Sequence, residues 1–149
     1  MAEGLYYSEA EYVLEFGEEE AIRLTDEDAL GAVDSNKMDA AIERASAEID
    51  AYLAKRYQLP LASTPREVEE IAAALVRERL HSIFPTDSVT AAAKLARQRL
   101  RDLATGVAVL VDATGAQPDT QVLGPDGITT SAPARVFTAA KRGRFASLT

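Results

Sequence analysis

IERASAEIDAYLAKRYQLPL, residues 42–61, reads as an amphipathic helix that runs into a proline-stopped exit. Apolar residues fall at Met38, Ile42, Ala45, Ile49, Tyr52 and Leu53, the spacing of a stripe along one helix face. Glu43, Glu48, Asp50 and Lys55 lie mostly off it. Asp34 or Ser35 supplies the cap, so a helix is predicted over roughly 35–57. Such a stripe must be covered by other elements, and the flanking sequence offers them.

Upstream, Ser8 followed by Glu11 has capping-box spacing, with Tyr12, Val13 and Phe16 as apolar positions and Gly17 as a stop. A short helix over 8–16 follows from this, and a second short piece is predicted from Glu18 to Leu24. Downstream, Thr64-Pro65-Arg66-Glu67 places a capping hydroxyl, a proline at the first helical position and a glutamate at the third. Val68, Ile71, Ala72, Leu75, Val76, Leu80 and Ile83 then keep the helical period until Pro85. Thr86 or Asp87 opens a further helix with Val89, Ala92, Ala93, Ala96, Leu100 and Leu103 as its buried stripe and Gly106 as its stop. Three long helices joined by short connections, after a small helical entry, predict a mainly α fold: an antiparallel helical bundle over 1–106.

The remainder, 107–149, has a different character. Val107 to Val111 is apolar and β-branched, and Thr120–Leu123 and Ile128–Ser131 flank the turn tetrapeptide Gly124-Pro125-Asp126-Gly127, which suggests a small β-hairpin. Beyond Pro133 the residues alternate basic, aromatic and small, with too few large apolar groups for a core. An extended C-terminal arm of this composition is expected to take its order from a partner.

At 149 residues and 47% hydrophobic composition the chain can bury one modest core, not two. The lack of cysteine excludes disulfides, thiolate zinc sites and thiol nucleophiles. One histidine, His81, argues against a histidine-rich metal centre or a Ser-His-Asp triad and reads as a polar residue near a helix end. No run of about 18 apolar residues exists to cross a bilayer, and acidic residues stand where a secretory signal would be basic, so a soluble, intracellular protein without a membrane partner is expected. The net charge of -8 is unevenly spread. Residues 1–28 carry ten acids against Arg23, whereas 134–149 carry Arg135, Lys141, Arg142 and Arg144 with no acid. Charge runs are usually solvated faces, but ends of opposite sign can also pair between neighbouring copies.

The remaining constellations carry little chemistry. Asp26 to Asp34 has acids at loop positions one, three and nine and glycine at six, as in an EF-hand loop, but Leu30 stands at five and Lys37 at twelve, where ligands are needed. A solvated inter-helix loop that ends in an N-cap is the better reading, and no metal or cofactor is expected. Glu18-Glu19-Glu20 are consecutive on a helix and point in different directions, so they are read as favourable first-turn acids rather than converging ligands. Gly115 and Gly124 to Gly127 lack the lysine and helix start of a phosphate loop. Lys94, Arg97, Arg99 and Arg101 make one long helix basic and raise a small DNA-binding regulator as a rival function, opposed by an isoelectric point near 4.7. Without a nucleophile and base pair, no catalytic residue is assigned and an enzyme is not expected.

Tyr7 to Phe16-Gly17, the Glu-rich turn to Leu24-Thr25-Asp26, Ala47-Glu48-Ile49-Asp50-Ala51-Tyr52-Leu53 and Arg56-Tyr57-Gln58-Leu59-Pro60-Leu61, taken in that order, resemble the Mu-like prophage gp36 family. The resemblance covers roughly 5–106 and, more loosely, Pro133, Arg135, Val136 and Phe137; the Asp26–Asp34 loop departs from it, being poorer in Asp and Gly. It implies a structural head-tail connector similar to the adaptors of tailed bacteriophages, in a ring of about a dozen subunits beneath the portal. A stopper or tail-completion protein of the neck is the alternative within that class. The implied partners are further copies of the chain, the portal protein and a tail terminator or stopper, with DNA passing through the lumen without specific binding. The implied location is the virion neck, and the host cytoplasm during assembly. Carried onto this sequence, the docking arm is 134–149, with Arg135, Phe137, Arg142, Arg144 and Phe145 as its anchors.

Overall fold

A computed structural model describes residues 4–112 and 114–120. Among these, five helices follow one another: α1 Glu9–Phe16, α2 Glu18–Thr25, α3 Ser35–Leu53, α4 Arg66–Leu80 and α5 Asp87–Thr105. The three long helices pack on one another and the short α1–α2 pair lies against α3, so the described part is a mainly α bundle. Arg99, late in α5, reaches Glu70, early in α4, at 3.5 Å, as an antiparallel pair requires.

Local chemistry explains most of the boundaries. Ser8 accepts from the Glu11 amide, Asp34 from the amides of Asn36 and Lys37, and Thr86 from that of Val89. Each side chain satisfies amide donors that the first helical turn leaves open. Gly106 ends α5 in the left-handed region, φ +81°, where its amide bonds back to Leu103.

Four expectations shift. α4 begins one residue later than the Thr64-Pro65 signal: Pro65 is extended at ψ 144° and acts as the cap, no side chain caps the helix, and Thr64 is exposed. α3 ends at Leu53 rather than running to Tyr57. The chain turns through 54–56, and Tyr57, fully buried, bridges to Thr120 instead. α4 stops at His81, leaving Ile83 exposed at 78% rather than on the buried stripe. On α5, Ala92 is exposed while Val89, Ala93, Ala96, Leu100 and Leu103 are buried.

The core gathers the predicted stripes: Met38, Ile42, Ala45, Ile49 and Leu53 of α3 with Val68, Ile71, Ala72, Leu75, Val76 and Leu80 of α4 and Ala93, Ala96, Leu100 and Leu103 of α5. Tyr6, Tyr7 and Tyr12 close it from the α1 side. Val107–Val111 forms no strand; instead Leu110 enters the core, and its amide donates to the Tyr57 hydroxyl at 3.1 Å. The proposed hairpin lies, beyond Thr120, outside the described residues.

Candidate interaction surfaces

Two ion-pair clusters lock the helices. In the first, Glu48 of α3 accepts from Arg79 Nη2 of α4 at 2.6 Å and Arg97 Nε of α5 at 2.7 Å, while Arg97 Nη2 also reaches Glu78 at 2.6 Å. One carboxylate thus ties three helices. Burial pushes the Glu48 carboxyl up, but the hydrogen bond and charge of Arg97, with Arg79 behind them, outweigh it and hold the group below the usual glutamate range. Hydrogen bonds from Arg97 to Glu78 and Glu48 raise the guanidinium's pKa in turn.

In the second, Glu20 of α2 takes a two-pronged bond from Arg77 of α4, Nε at 2.8 Å and Nη2 at 2.9 Å, and accepts from the Tyr12 hydroxyl at 3.1 Å. The Arg77 guanidinium also lies 4.5 Å from the Phe16 ring centre, over its face. Burial would raise Glu20, but Arg77 holds it below the ordinary range. The His81 side chain, 9% exposed, brings Nε2 to 3.7 Å from Glu20, and that nitrogen has no hydrogen-bond partner among the described residues. Tyr6 and Tyr7 donate to Asp50 and Glu15. Burial first, then the neighbouring carboxylates, pushes these phenols and Tyr12 far above their ordinary values, so all three are neutral donors.

The acids Glu15, Glu20, Glu48 and Asp50 are thus held by arginine and tyrosine donors. The Asp26–Asp34 loop is likewise self-satisfied. Asp26 accepts from the amides of Leu30 (2.9 Å) and Gly31 (2.7 Å), which holds its carboxyl low; Glu27 pairs with Lys37; and Asp34 caps α3. Among the described residues no group of three or more His, Cys, Asp or Glu is placed to hold a metal ion.

The open surfaces are of two kinds. Leu14, Leu30, Ile83, Phe84 and Val107 are large apolar side chains at least 78% exposed. A groove runs between α1, α4 and α5. One end, about 180 Å³, has Phe16, Ala73, Ala74, Val89 and Ala92 in its walls. The other, about 490 Å³, shares Glu15 and Glu70 with it and adds Tyr7, Glu11, Arg66 and Glu69.

Of the residues singled out from sequence, Arg135, Phe137, Arg142, Arg144 and Phe145 lie outside the described residues. Glu18 and Glu19 are exposed, whereas Glu20 turns inward to Arg77. Arg97, offered as a DNA-facing residue of α5, is instead engaged by Glu48 and Glu78, and Arg99 by Glu70. That removes much of the positive face a DNA-binding helix would present. The sequence reading missed the roles of Glu20, Glu48, Arg77 and Arg79. No signal within a single helix marks them, since each partner sits on another helix.

The described residues form a small helical domain in which Glu20 and Glu48 join helices through Arg77, Arg79 and Arg97. The chain belongs to the Bacteriophage Mu, Gp36 family, whose model matches residues 6–124, and is thus a phage protein. The match spans all five helices and ends before the 134–149 segment. No curated protein matches the chain. No helix among the described residues is long and apolar enough to cross a membrane.

Proposed function

We propose that this protein is a non-enzymatic head-tail connector, an adaptor ring of about a dozen copies between the portal and the tail of a tailed bacteriophage. The observation that carries the reading is membership of the Bacteriophage Mu, Gp36 family across the whole helical bundle. Two features support it. Exposed Leu14, Leu30, Ile83 and Phe84 offer apolar surface that association would cover. The acidic amino-terminal region and the acid-free basic 134–149 segment suit a head-to-tail contact, the kind that closes into rings. An acidic lumen would let DNA slide past without sticking, because like charge suppresses phosphate binding.

Reconstruction of the neck from purified particles, with crosslinking to the portal protein, tests the proposal. The expected result is a closed ring of this chain in contact with the portal. A ring that touches an adaptor and the tail terminator instead identifies a stopper. A chain that stays monomeric under assembly conditions and is absent from portal complexes refutes both.

A further inference from the structure

We propose that the groove between α1, α4 and α5 is the dock for the carboxy-terminal segment 134–149 of a neighbouring copy. Phe145 fills its apolar end, and Lys141, Arg142 and Arg144 lie along its acidic end. The inference rests on the ring-forming reading and adds to it the acceptor surface.

Size and lining fit an aromatic side chain. The apolar end is a solvent-open hollow of about 180 Å³, large enough for an aromatic ring, which needs about 150 Å³ in a closed cavity. Ala73, Ala74 and Ala92 leave space beside Phe16 and Val89 for a ring, with Glu15 and Glu70 at the end shared with the acidic stretch. Arg77 lines the same end, but its guanidinium is held by Glu20 in a two-pronged bond, so its charge is already matched.

Charge selects the occupant. The other end presents four carboxylates, Glu11, Glu15, Glu69 and Glu70, of which Glu70 is paired with Arg66 and Arg99. The segment 134–149 carries four basic residues and no acid, and three of them, Lys141, Arg142 and Arg144, lead directly into Phe145. Complementary charge of this kind sets register and partner choice, while the buried aromatic supplies the anchor.

Reach is sufficient. Thr120 is fixed beside Tyr57, and the Gln58 amide donates to the Asp119 carbonyl at 3.0 Å. From Thr120 to Phe145 an extended chain spans roughly 80 Å at about 3.3 Å per residue. A domain of this length has a radius of gyration of about 15 Å, so an adjacent copy is within range. A tail seated in its own groove would cancel the chain's two charged ends and link nothing. Seated in the next copy, it makes the heterologous contact that a ring repeats.

The chain has no cysteine, so single cysteines report the contact in the full-length protein. Ala92→Cys, an exposed groove position, and Ala146→Cys, beside Phe145, are made on separate chains of distinguishable size and mixed under mild oxidation. A disulfide joining the two chains is expected, with none when Leu14→Cys replaces Ala92→Cys. Phe145→Ala, or Glu69→Lys with Glu70→Lys, lowers its yield at least about tenfold, and adding Arg142→Glu with Arg144→Glu to the tail of the reversed-charge pair restores it. Circular dichroism confirms that each variant keeps its helices, and Glu69→Gln with Glu70→Gln lowers the yield without reversing charge. No inter-chain disulfide, one formed only within a chain bearing both cysteines, or indifference to charge reversal overturns the dock. The particle mass of the same mixture reads the ring separately. Ring-sized particles without the crosslink refute the dock and leave the connector reading standing, whereas a monomer that ignores the portal refutes both.

Discussion

Replacing Glu48 by glutamine removes one charge from the point where three helices meet, and its cost follows from the geometry. Glu48 takes short hydrogen bonds from Arg79 and Arg97, and the three side chains are only 20–30% exposed. A hydrogen bond to a charged group contributes about 1.5–3 kcal/mol when fully buried. Partial exposure screens it, and Arg97 keeps Glu78, so a loss of about 2 kcal/mol is expected for Glu48→Gln at about pH 7. For a domain of this size that lowers Tm by about 4–8 °C. Acid should erase the difference. The Glu48 carboxyl is depressed in the folded state, so its contribution is present above the unfolded glutamate pKa and is lost as pH falls through the lower folded value. Other depressed carboxyls, Glu20 among them, titrate equally in both proteins and cancel in the comparison. Urea unfolding followed by circular dichroism at about pH 7 and about pH 3 gives both stabilities. A Glu48→Gln penalty below about 0.5 kcal/mol at the higher pH, or one that persists undiminished at the lower, refutes the assignment of Glu48 as the helix tie.

Leu100→Ala empties a fully buried α5 position and should cost about 2–5 kcal/mol in the same urea assay. Tyr57→Phe removes the hydroxyl that receives the buried Leu110 amide; a loss of about 1–3 kcal/mol and faster hydrogen exchange at Leu110 are expected. Phe84→Ser, at a position 87% exposed, should leave stability within about 0.5 kcal/mol of the parent and weaken self-association in sedimentation measurements.

Helix starts and apolar faces were legible wherever the signal is local. Ser8, Asp34, Thr86 and Gly106 each act on backbone groups within four residues, so the caps could be read directly. Proline was read less well. Pro65 permits a helical first turn, yet it adopts the extended ψ of a cap, and Phe84, preceding Pro85, sits where the helical conformation is disfavoured, which helps end α4 before Ile83. Tyr57 shows the other limit. Its spacing continues the α3 stripe, but the residue leaves the helix for partners fifty or more positions away, Leu110 and Thr120. Separation also hid the Glu20–Arg77 pair, 57 residues apart, inside an apparently ordinary acidic run. In the groove, Glu15 and Phe16 of α1 meet Ala73 of α4 and Val89 of α5, a proximity that only helix packing creates.

Charge in this protein divides by position between holding the fold and facing outward. Arg77, Arg79 and Arg97 meet glutamates on other helices at 2.6–2.8 Å, so these cations are spent inside the bundle. A net charge of -8 already favours acids, and Glu11, Glu15, Glu18 and Glu19 are exposed on the amino-terminal helices, where Arg23 is the one basic residue. In sequence, 134–149 is the acid-free basic stretch, with Arg135, Lys141, Arg142 and Arg144, while Arg44, Lys55, Arg56, Lys94 and Arg101 add further positive charge across the bundle. Ends of opposite sign suit a contact between copies, and the proposed dock pairs the acid-rimmed groove with the basic segment on that ground.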